Sequence, residues 1–378
     1  MPANPRTYLL SCGGTGGHLS PGIALAEGLA ARGDRAVLLI SEKQVDARLA
    51  AKYPALDFTP IPGSPLGASP KVLTRFLVSQ SKGFAAGLGL VRRLRPAAIV
   101  GFGGFTTASV ILAGALHGVP VALHEANRVP GKAVRHLARL ARRVYLPPSV
   151  TLPSVPASKV RAAGLPVRSE IRPLPRAEAA ARLGLDPAKK ILVVFGGSQG
   201  ATPLNAWARA AAAELASRDV QLACVTGLGK GAAELTTVAG PHKEPVRAVW
   251  IPFCDDVATL LSAADLVVAR AGAGSLAEFA RIGSPAILVP YPQAADDHQR
   301  ANAAWFAAQG GGVVLEQDAL AQLTPRTVAL LATPGILSAH RAALARLDFS
   351  PALDFILDDL DTLIAPRQRH AVRAAAAA

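Results

Sequence analysis

The sequence predicts an α/β protein made of two similar domains, whose parallel sheets face each other across a central cleft. Short apolar segments alternate with Ala/Leu-rich segments along the whole chain, as they do in βαβ units. Two glycine-rich turns, at 13–17 and 196–200, lie about half the chain apart, and each follows an apolar strand and precedes a helix. The 378 residues, of which 51% are apolar, are enough for two cores.

Six strands are predicted in each half, with helices or loops between them. The first six lie near residues 8–12, 36–41, 97–101, 119–124, 143–146 and 159–163, and the second six near 191–195, 220–226, 247–251, 265–269, 286–290 and 312–315. A segment rich in Pro and Arg, 166–175, separates the two series. We therefore expect one domain over 1–165 and another over 166–350, with an amphipathic helix near 351–365 packing back onto the first.

Composition narrows the class of protein. Cys12, Cys224 and Cys254 are widely spaced and match no zinc or disulfide pattern, which favours a reducing compartment. Residues 1–6 lead straight into a strand, without the features of a signal peptide. Glycines interrupt the longest uncharged stretch, 96–124, and argue against a membrane-spanning helix there. These patterns predict a cytoplasmic protein.

The net charge of +14 is concentrated in the first domain. Between Phe58 and Arg168 there are fifteen Lys or Arg and one carboxylate, Glu125. Two predicted helices combine much of this charge with apolar residues, and the predicted patch consists of Lys71, Arg75, Phe76, Leu77, Lys82, Phe84, Arg135 and Arg139. Each cation near an anionic membrane contributes about 1 kcal/mol, so the patch predicts membrane attachment. A solvated basic face is the alternative, and the lack of a nucleic-acid motif argues against nucleic acid.

Ligands of parallel sheets bind outside the carboxyl ends of the strands, so the loops that follow the strands form the predicted site. In the first half these loops are 13–18, 101–105 and 124–127. In the second half they are 196–200, 253–256, 270–278 and 296–299.

Motifs in and beside these loops together resemble one family. They are GGTGGH at 13–18 with Pro21, HEAN at 124–127, GLPVR at 164–168, GGSQG at 196–200, and DDHQ at 296–299 with Asn302. From residue 8 to about 316, their order and spacing resemble the bacterial GT-B glycosyltransferases that add N-acetylglucosamine to the lipid-linked muramyl-pentapeptide of peptidoglycan synthesis. The chain departs from that family at Ala126, where Gln is usual, and at Leu165, where Asn is usual.

The resemblance implies an inverting transfer from UDP-N-acetylglucosamine to the 4-hydroxyl of the muramyl sugar of undecaprenyl-diphospho-muramoylpentapeptide, without a cofactor. It also implies a peripheral protein on the cytoplasmic face of the cell membrane, with other cell-wall synthesis and division proteins as partners. No metal is expected. The one DxD pattern, Asp359-Leu360-Asp361, lies in the last predicted helix, where side chains two residues apart diverge by about 200° and indicate a solvated face.

An inverting transfer needs a base for the attacking hydroxyl and stabilisation of the departing diphosphate. His18 is the predicted base, because a neutral imidazole accepts a proton near pH 7. Capping of the helix is its alternative role. Glu125 is predicted to orient His18 or to hold the acceptor, with an ion pair to a neighbouring arginine as the alternative.

Donor binding is assigned mostly to the second half. Backbone N–H groups around Ser198, with Arg168, are predicted to stabilise the diphosphate. Glu278 either completes a capping box that starts at Ser275 or, as the resemblance implies, binds the ribose hydroxyls. The resemblance also assigns Gln299 to the donor sugar, and an Asp-capped helix start is the alternative for that stretch. The predicted donor set is Thr15, Gly16, Gly17, Asn127, Arg168, Ser198, Gln199, Gly200, Cys254, Arg270, Ser275, Leu276, Glu278, His298 and Gln299.

The predicted acceptor set is Gly13, Gly14, Gly103, Gly104 and Asn127, of which the last three would surround the lipid diphosphate or the muramyl sugar. A tight turn that packs helix on strand is the alternative for the glycines. Other functions stay open on the residues alone. They are a dinucleotide oxidoreductase, although 13–18 is not G-x-G-x-x-G, a UDP-sugar epimerase of the same architecture, and a non-catalytic binding protein.

Overall fold

The chain divides into two units in the computed structural model, which describes residues 5–14, 16–42, 44–67, 69–197, 199–241, 244–348 and 351–376. Unit 1 runs to Arg168 and includes the C-terminal residues from 351, and unit 2 begins at Ser169. The break therefore falls three residues after the expected boundary. Arg168 belongs to unit 1, where its guanidinium donates a hydrogen bond to the Tyr53 hydroxyl at 3.0 Å.

Unit 1 contains a seven-stranded parallel sheet in the order β3-β2-β1-β4-β5-β6-β7. Its elements are β1 (Thr7–Ser11), α1 (Gly16–Ala31), β2 (Arg35–Ile40), α2 (Gln44–Ala51), β3 (Asp57–Pro60), α3 (Pro70–Leu94), β4 (Ala98–Gly101), α4 (Thr107–Leu116), β5 (Val121–His124), α5 (Lys132–Leu137), β6 (Arg143–Leu146), β7 (Val160–Ala162) and the C-terminal helix (Ala352–Ala376). β3 was not predicted from the sequence, because this edge strand is four residues long, largely solvent-accessible and ends in proline.

Unit 2 also contains a seven-stranded sheet, in the order β10-β11-β9-β8-β12-β13-β14. Its elements are α6 (Arg176–Arg182), β8 (Lys190–Phe195), α7 (Thr202–Ala216), β9 (Val220–Val225), β10 (Glu234–Ala239), β11 (Pro245–Ile251), α8 (Val257–Ala263), β12 (Leu266–Ala269), α9 (Ala273–Ile282), β13 (Ala286–Leu288), α10 (His298–Ala308), β14 (Gly312–Val314), α11 (Leu323–Leu331) and α12 (Pro334–Leu347). The prediction of a purely parallel sheet is wrong at one edge, where β10 runs antiparallel to β11. The link between these two strands is too short for a crossover helix.

The sheet of unit 1 is buried on both faces, which explains why its strands are continuously apolar. Successive residues of β1 point to opposite faces, so that Leu9 and Leu10 belong to different core clusters. The C-terminal helix covers one face, where Leu357 and Leu360 pack in the same cluster as Leu10.

Polar contacts also hold the C-terminal helix on unit 1. The prediction of a solvated face is wrong for Asp359, whose side chain is 11% exposed, whereas that of Asp361 is 40% exposed. Asp359 accepts hydrogen bonds from Arg143 Nε and the Tyr145 hydroxyl, each at 2.9 Å. Asp361 forms ion pairs with other cations, Arg6 at 2.6 Å and Arg32 at 3.3 Å. Because their side chains diverge, the two carboxylates meet different cations, all of them distant in sequence.

We expect Asp359→Ala to lower the free energy of unfolding by about 2 kcal/mol, because it leaves a half-buried arginine and a buried tyrosine hydroxyl without their carboxylate. Urea unfolding followed by circular dichroism measures the change. Asp358→Asn is the control, because the Asp358 side chain is 72% exposed and its ion pair with Arg32 lies at the surface. Equal unfolding midpoints for the two variants would contradict the stabilising role of Asp359.

Candidate active site

His18 of unit 1 lies against the glycine loop that follows β4. It is the third residue of α1 and is half-buried. A Cβ atom built on Gly103 would lie 3.1 Å from His18 Nε2, and one on Gly104 would lie 3.3 Å from Nδ1. The structure therefore brings the predicted base together with two of the predicted acceptor glycines.

Close backbone packing explains the glycines of both loops. A Cβ atom on Gly104 would lie 2.3 Å from the Gly13 carbonyl oxygen, and one on Gly13 would lie 2.4 Å from the Ser41 nitrogen. Gly14 and Gly104 also have positive φ angles, of 128° and 83°, which side chains with a Cβ rarely adopt. The tight-turn interpretation is thus correct for these positions. Gly13, Gly14 and Gly103 are buried and Gly104 is half-buried, so Gly104 is the position among these four that suits contact with an acceptor.

Asp46, which was not predicted from the sequence, holds the glycine loop that follows β1 in place. Its carboxylate is fully buried, and Oδ2 accepts hydrogen bonds from the backbone N–H groups of Gly14 at 3.0 Å and Ser41 at 3.2 Å, and from the Ser41 hydroxyl at 2.5 Å. A single acidic residue in the first turn of α2 carries no local pattern that marks it as a loop support. Only the fold brings it into contact with the glycine turn.

Glu125 organises the loop that follows β5. Oε1 accepts hydrogen bonds from the backbone N–H of Asn127 at 2.8 Å and from its side-chain amide at 3.0 Å, while Oε2 accepts from the Gly131 N–H at 2.7 Å. The carboxylate is buried. With its oxygens engaged by its own loop, Glu125 suits a positioning role better than that of a proton acceptor.

His124, the buried neighbour of Glu125, links the end of β5 to Gly164. Its Nε2–H donates a hydrogen bond to the Gly164 carbonyl oxygen at 3.1 Å. Burial lowers the pKa of His124 from 6.5 to about 4, and the hydrogen bond to Gly164 opposes this shift. The imidazole is therefore neutral at pH 7 and acts as a structural donor.

In unit 2, the glycine loop after β8 leads into α7. A Cβ atom on Gly200 would lie 1.9 Å from the Thr226 carbonyl oxygen, and its φ angle is 65°, so only glycine fits. The N-cap residue of α7 is Ala201, which makes no side-chain cap. The first N–H groups of α7 are thus not capped by that side chain, and such groups bind diphosphate oxygens. Gln199 is exposed, and Ser198 lies outside the described residues, as does Thr15 of unit 1.

The predicted capping box at Ser275 is wrong. α9 begins at Ala273 with Gly272 as N-cap, and this residue makes no side-chain cap. Ser275 therefore lies within the first turn, and Glu278 lies in the second turn and is buried. Glycine is an acceptable N-cap, and the observed cap lies three residues before the expected one. Glu278 does not have the helix-capping role that competed with ribose binding.

Two side chains of α10 hold the loop before α9 in place. Gln299 Oε1 accepts hydrogen bonds from the backbone N–H groups of Ala271 at 3.2 Å and Tyr291 at 3.0 Å. One turn later, Asn302 Nδ2 donates to the Ala271 carbonyl at 3.1 Å. Gln299 is only half-buried, and its oxygen is engaged, so its amide N–H group is the part that suits a sugar hydroxyl.

The start of α10 is not capped by aspartate. Asp297 occupies the N-cap position in a left-handed conformation without a side-chain cap, and its carboxylate instead pairs with Arg300 at 2.9 Å. His298 Nδ1 lies 2.7 Å from the Ala295 carbonyl oxygen, within the same turn. His298 thus shapes this turn locally.

Arg270 holds together the backbone that follows β12 and β13. Its guanidinium is buried, and it donates to the carbonyl oxygens of Val289 and Pro290, each at 3.0 Å, and to Gln317 Oε1 at 2.5 Å. Burial lowers the pKa of Arg270 from its ordinary value. These bonds join the ends of β12 and β13, so the structure assigns Arg270 a supporting position.

The rest of the predicted donor set is divided between the units. Gly16, Gly17, Asn127 and Arg168 lie in unit 1. In unit 2, Cys254 is half-buried in the loop after β11, and Leu276 is buried in the first turn of α9. Within the described parts of the chain, no three His, Cys, Asp or Glu side chains lie together as metal ligands would.

Both halves of the chain match domains of known proteins. Residues 8–146 match the glycosyltransferase family 28 N-terminal domain, and residues 191–341 match the glycosyltransferase family 28 C-terminal domain. The chain belongs to glycosyltransferase family 28. A relative from Opitutus terrae is 56% identical over 94% of this chain and 95% of its own length, and is named UDP-N-acetylglucosamine–N-acetylmuramyl-(pentapeptide) pyrophosphoryl-undecaprenol N-acetylglucosamine transferase.

Solved structures confirm the predicted GT-B fold. The crystal structure of Acinetobacter baumannii MurG matches with a TM-score of 0.70 and 24% identity, over 95% of this chain and 100% of that one. The UDP-GlcNAc 2-epimerase of Neisseria meningitidis matches with a TM-score of 0.62 and 12% identity, over 94% of this chain and 100% of that one. The fold alone therefore does not separate a transferase from an epimerase.

Proposed function

We infer that the protein transfers N-acetylglucosamine from UDP-N-acetylglucosamine to the muramyl sugar of undecaprenyl-diphospho-muramoylpentapeptide, a step of peptidoglycan synthesis. Membership in glycosyltransferase family 28 and the 56% identical relative support this reaction over epimerisation or hydride transfer. The observation that carries it in the structure is the His18 imidazole, which lies against the Gly103–Gly104 backbone. A base within hydrogen-bond reach is what an acceptor hydroxyl requires.

In the proposed mechanism, the oxygen of the muramyl 4-hydroxyl attacks the anomeric carbon of the donor sugar, and His18 takes the proton of that hydroxyl. The bond from that carbon to the diphosphate oxygen breaks, UDP leaves, and the configuration inverts. The N–H groups at the start of α7 stabilise the negative charge that develops on the diphosphate. Glu278 accepts hydrogen bonds from the ribose hydroxyls, and the Gln299 amide binds the donor sugar.

UDP release tests this reaction. With UDP-N-acetylglucosamine alone, release should be slow, and the lipid-linked muramyl-pentapeptide should raise it by about 10²-fold or more, because the water that replaces the acceptor is not held beside the base. An epimerase would convert the donor sugar without this acceptor. Tight UDP binding with no acceptor-dependent release would contradict the transferase assignment.

Attachment to an anionic membrane through α3 is part of the proposal. Leu73, Leu77 and Val78 of this helix are exposed by 43%, 57% and 50%. Phe76 and Phe84 of the predicted patch are half-buried, so the aliphatic side chains supply most of its exposed apolar surface. Arg135 and Arg139 are exposed, but α5 ends at Leu137, and Arg139 therefore follows the helix as part of a turn.

No single helix among the described residues has both the length and the apolar character needed to cross a membrane. Among the same residues, one pair of helices joined at a bend is long and apolar enough when the two are taken together. The exposed face of α3 is therefore the surface that we propose for contact with the cytoplasmic leaflet. Other proteins of cell-wall synthesis and cell division are proposed partners at that location.

A further inference from the structure

A groove of about 580 Å³ lies between the first half of α3 and the loop before it in unit 1. Three cations of α3, Lys71, Arg75 and Lys82, line it together with the hydroxyls of Ser64 and Ser79. The two hydroxyl oxygens are 2.8 Å apart and hydrogen-bonded to each other. Ser79 Oγ donates a hydrogen bond to the Phe76 carbonyl at 2.9 Å, so Ser64 is the donor in this pair. The groove therefore combines positive charge with polar hydroxyl groups.

The charge of the groove is not balanced by the protein itself. Glu42 is the one carboxylate among its lining residues. Lys71, Arg75 and Lys82 are all exposed, and none of them forms an ion pair within the described part of the chain. Like charges four residues apart on a helix repel each other. An anionic ligand would relieve this repulsion.

The groove is continuous with the loop that packs on His18. A Cβ atom on Gly63, a lining residue, would lie 2.9 Å from Thr106 Cγ2 and 3.0 Å from Phe105 Cδ2. Gln80 of α3 donates a hydrogen bond to the Phe105 carbonyl at 2.7 Å. Because Phe105 directly follows Gly104, one short loop contacts the imidazole at one end and the groove at the other.

We propose that this groove binds the diphosphate of the lipid-linked acceptor, an inference that rests on the proposed function. The acceptor carries a sugar, a diphosphate and a lipid chain in that order. Unit 1 presents a matching feature for each part, namely His18, the cationic groove, and the apolar Val78, which lines the groove and is 50% exposed. Arg and Lys are the side chains that bind phosphate groups most strongly. Of the two groups predicted to lie at the Gly103–Gly104 loop, the muramyl sugar stays there and the diphosphate lies beyond it.

Phospholipid headgroups carry the same phosphate chemistry, so the experiment must separate the two sources. A soluble acceptor analogue with a short lipid chain, assayed without membranes or detergent micelles, removes the headgroups. Under these conditions Arg75→Ala and Lys82→Ala should each raise the acceptor KM about five- to tenfold, as expected for exposed charged hydrogen bonds. The kcat and the KM for UDP-N-acetylglucosamine should stay within about twofold, since neither variant touches the reacting atoms.

Two variants sharpen this test. Glu42→Gln should lower the acceptor KM about twofold, because it removes the negative charge from the groove, and misfolding would not produce this gain. Arg93→Ala is the matched control, since it removes an exposed cation from the last turn of the same helix, outside the groove. Its acceptor KM should equal that of the unaltered protein.

An unchanged acceptor KM in Arg75→Ala and Lys82→Ala, together with weaker binding to vesicles of anionic phospholipid, would overturn the proposal and assign the groove to headgroups. Failure of the proposed function is distinguishable, because then the unaltered protein itself would show no acceptor-dependent UDP release. That result would overturn both inferences.

Discussion

His18→Ala is expected to lower kcat by about 10²-fold or more, because the loss of a general base usually has at least this effect. The KM values for both substrates should change less. The imidazole is held against the Gly103–Gly104 backbone, where it suits proton transfer from an acceptor hydroxyl. Initial rates of UDP release at saturating concentrations of both substrates measure kcat, and calorimetric titration with UDP checks that unit 2 still binds nucleotide.

His136→Ala is the matched control, because His136 is an exposed histidine on α5. It should retain the turnover of the unaltered protein. A kcat for His18→Ala that stays within a few-fold of the original would contradict the base assignment and leave His18 a positioning role.

The second large effect concerns the pH dependence of stability. His124 is buried and its pKa is lowered from 6.5 to about 4. Between these two values the unfolded chain binds a proton that the folded protein does not bind, so the free energy of unfolding must fall as the pH falls. The contribution is fully present above pH 6.5, and about 3 kcal/mol is lost by pH 4.

Urea unfolding at several pH values between 4 and 7 tests this, with His124→Gln as the variant. Glutamine can still donate to the Gly164 carbonyl, but it does not titrate, so this variant should lose less stability than the original protein as the pH falls. His136→Gln should keep the original pH dependence, since that side chain is exposed. Parallel curves for His124→Gln and the original protein would show that His124 does not produce the acid sensitivity.

Much of the fold could be predicted because its signals are local. The strands of the central sheets are continuous apolar runs bounded by turns, and comparison with solved structures confirms the two-domain α/β fold. The missed strands, β3 and β10, are the partly exposed edges of their sheets. An edge strand buries little apolar surface, so its composition differs little from that of a loop.

Helix boundaries were predicted less well. The capping box at Ser275 satisfied the local rule, yet α9 begins before it, at Ala273. The fold can override such a rule because a cap contributes only about 1 kcal/mol. Side chains of α10 hold the loop at Ala271 by two hydrogen bonds, and a third, from the Tyr291 N–H to Gln299, joins the neighbouring loop.

By itself, the sequence determined the alternation of strands and helices, the glycine turns and the set of motifs that identify the family. These features depend on neighbouring residues and on backbone conformations that only glycine tolerates. Tertiary structure decided what each polar side chain does. Asp46 supports a loop more than thirty residues away in the chain, and Asp359 binds Arg143, which is more than two hundred residues away. The physical reason is that a buried carboxylate needs partners, and only the folded chain determines which donors are near it.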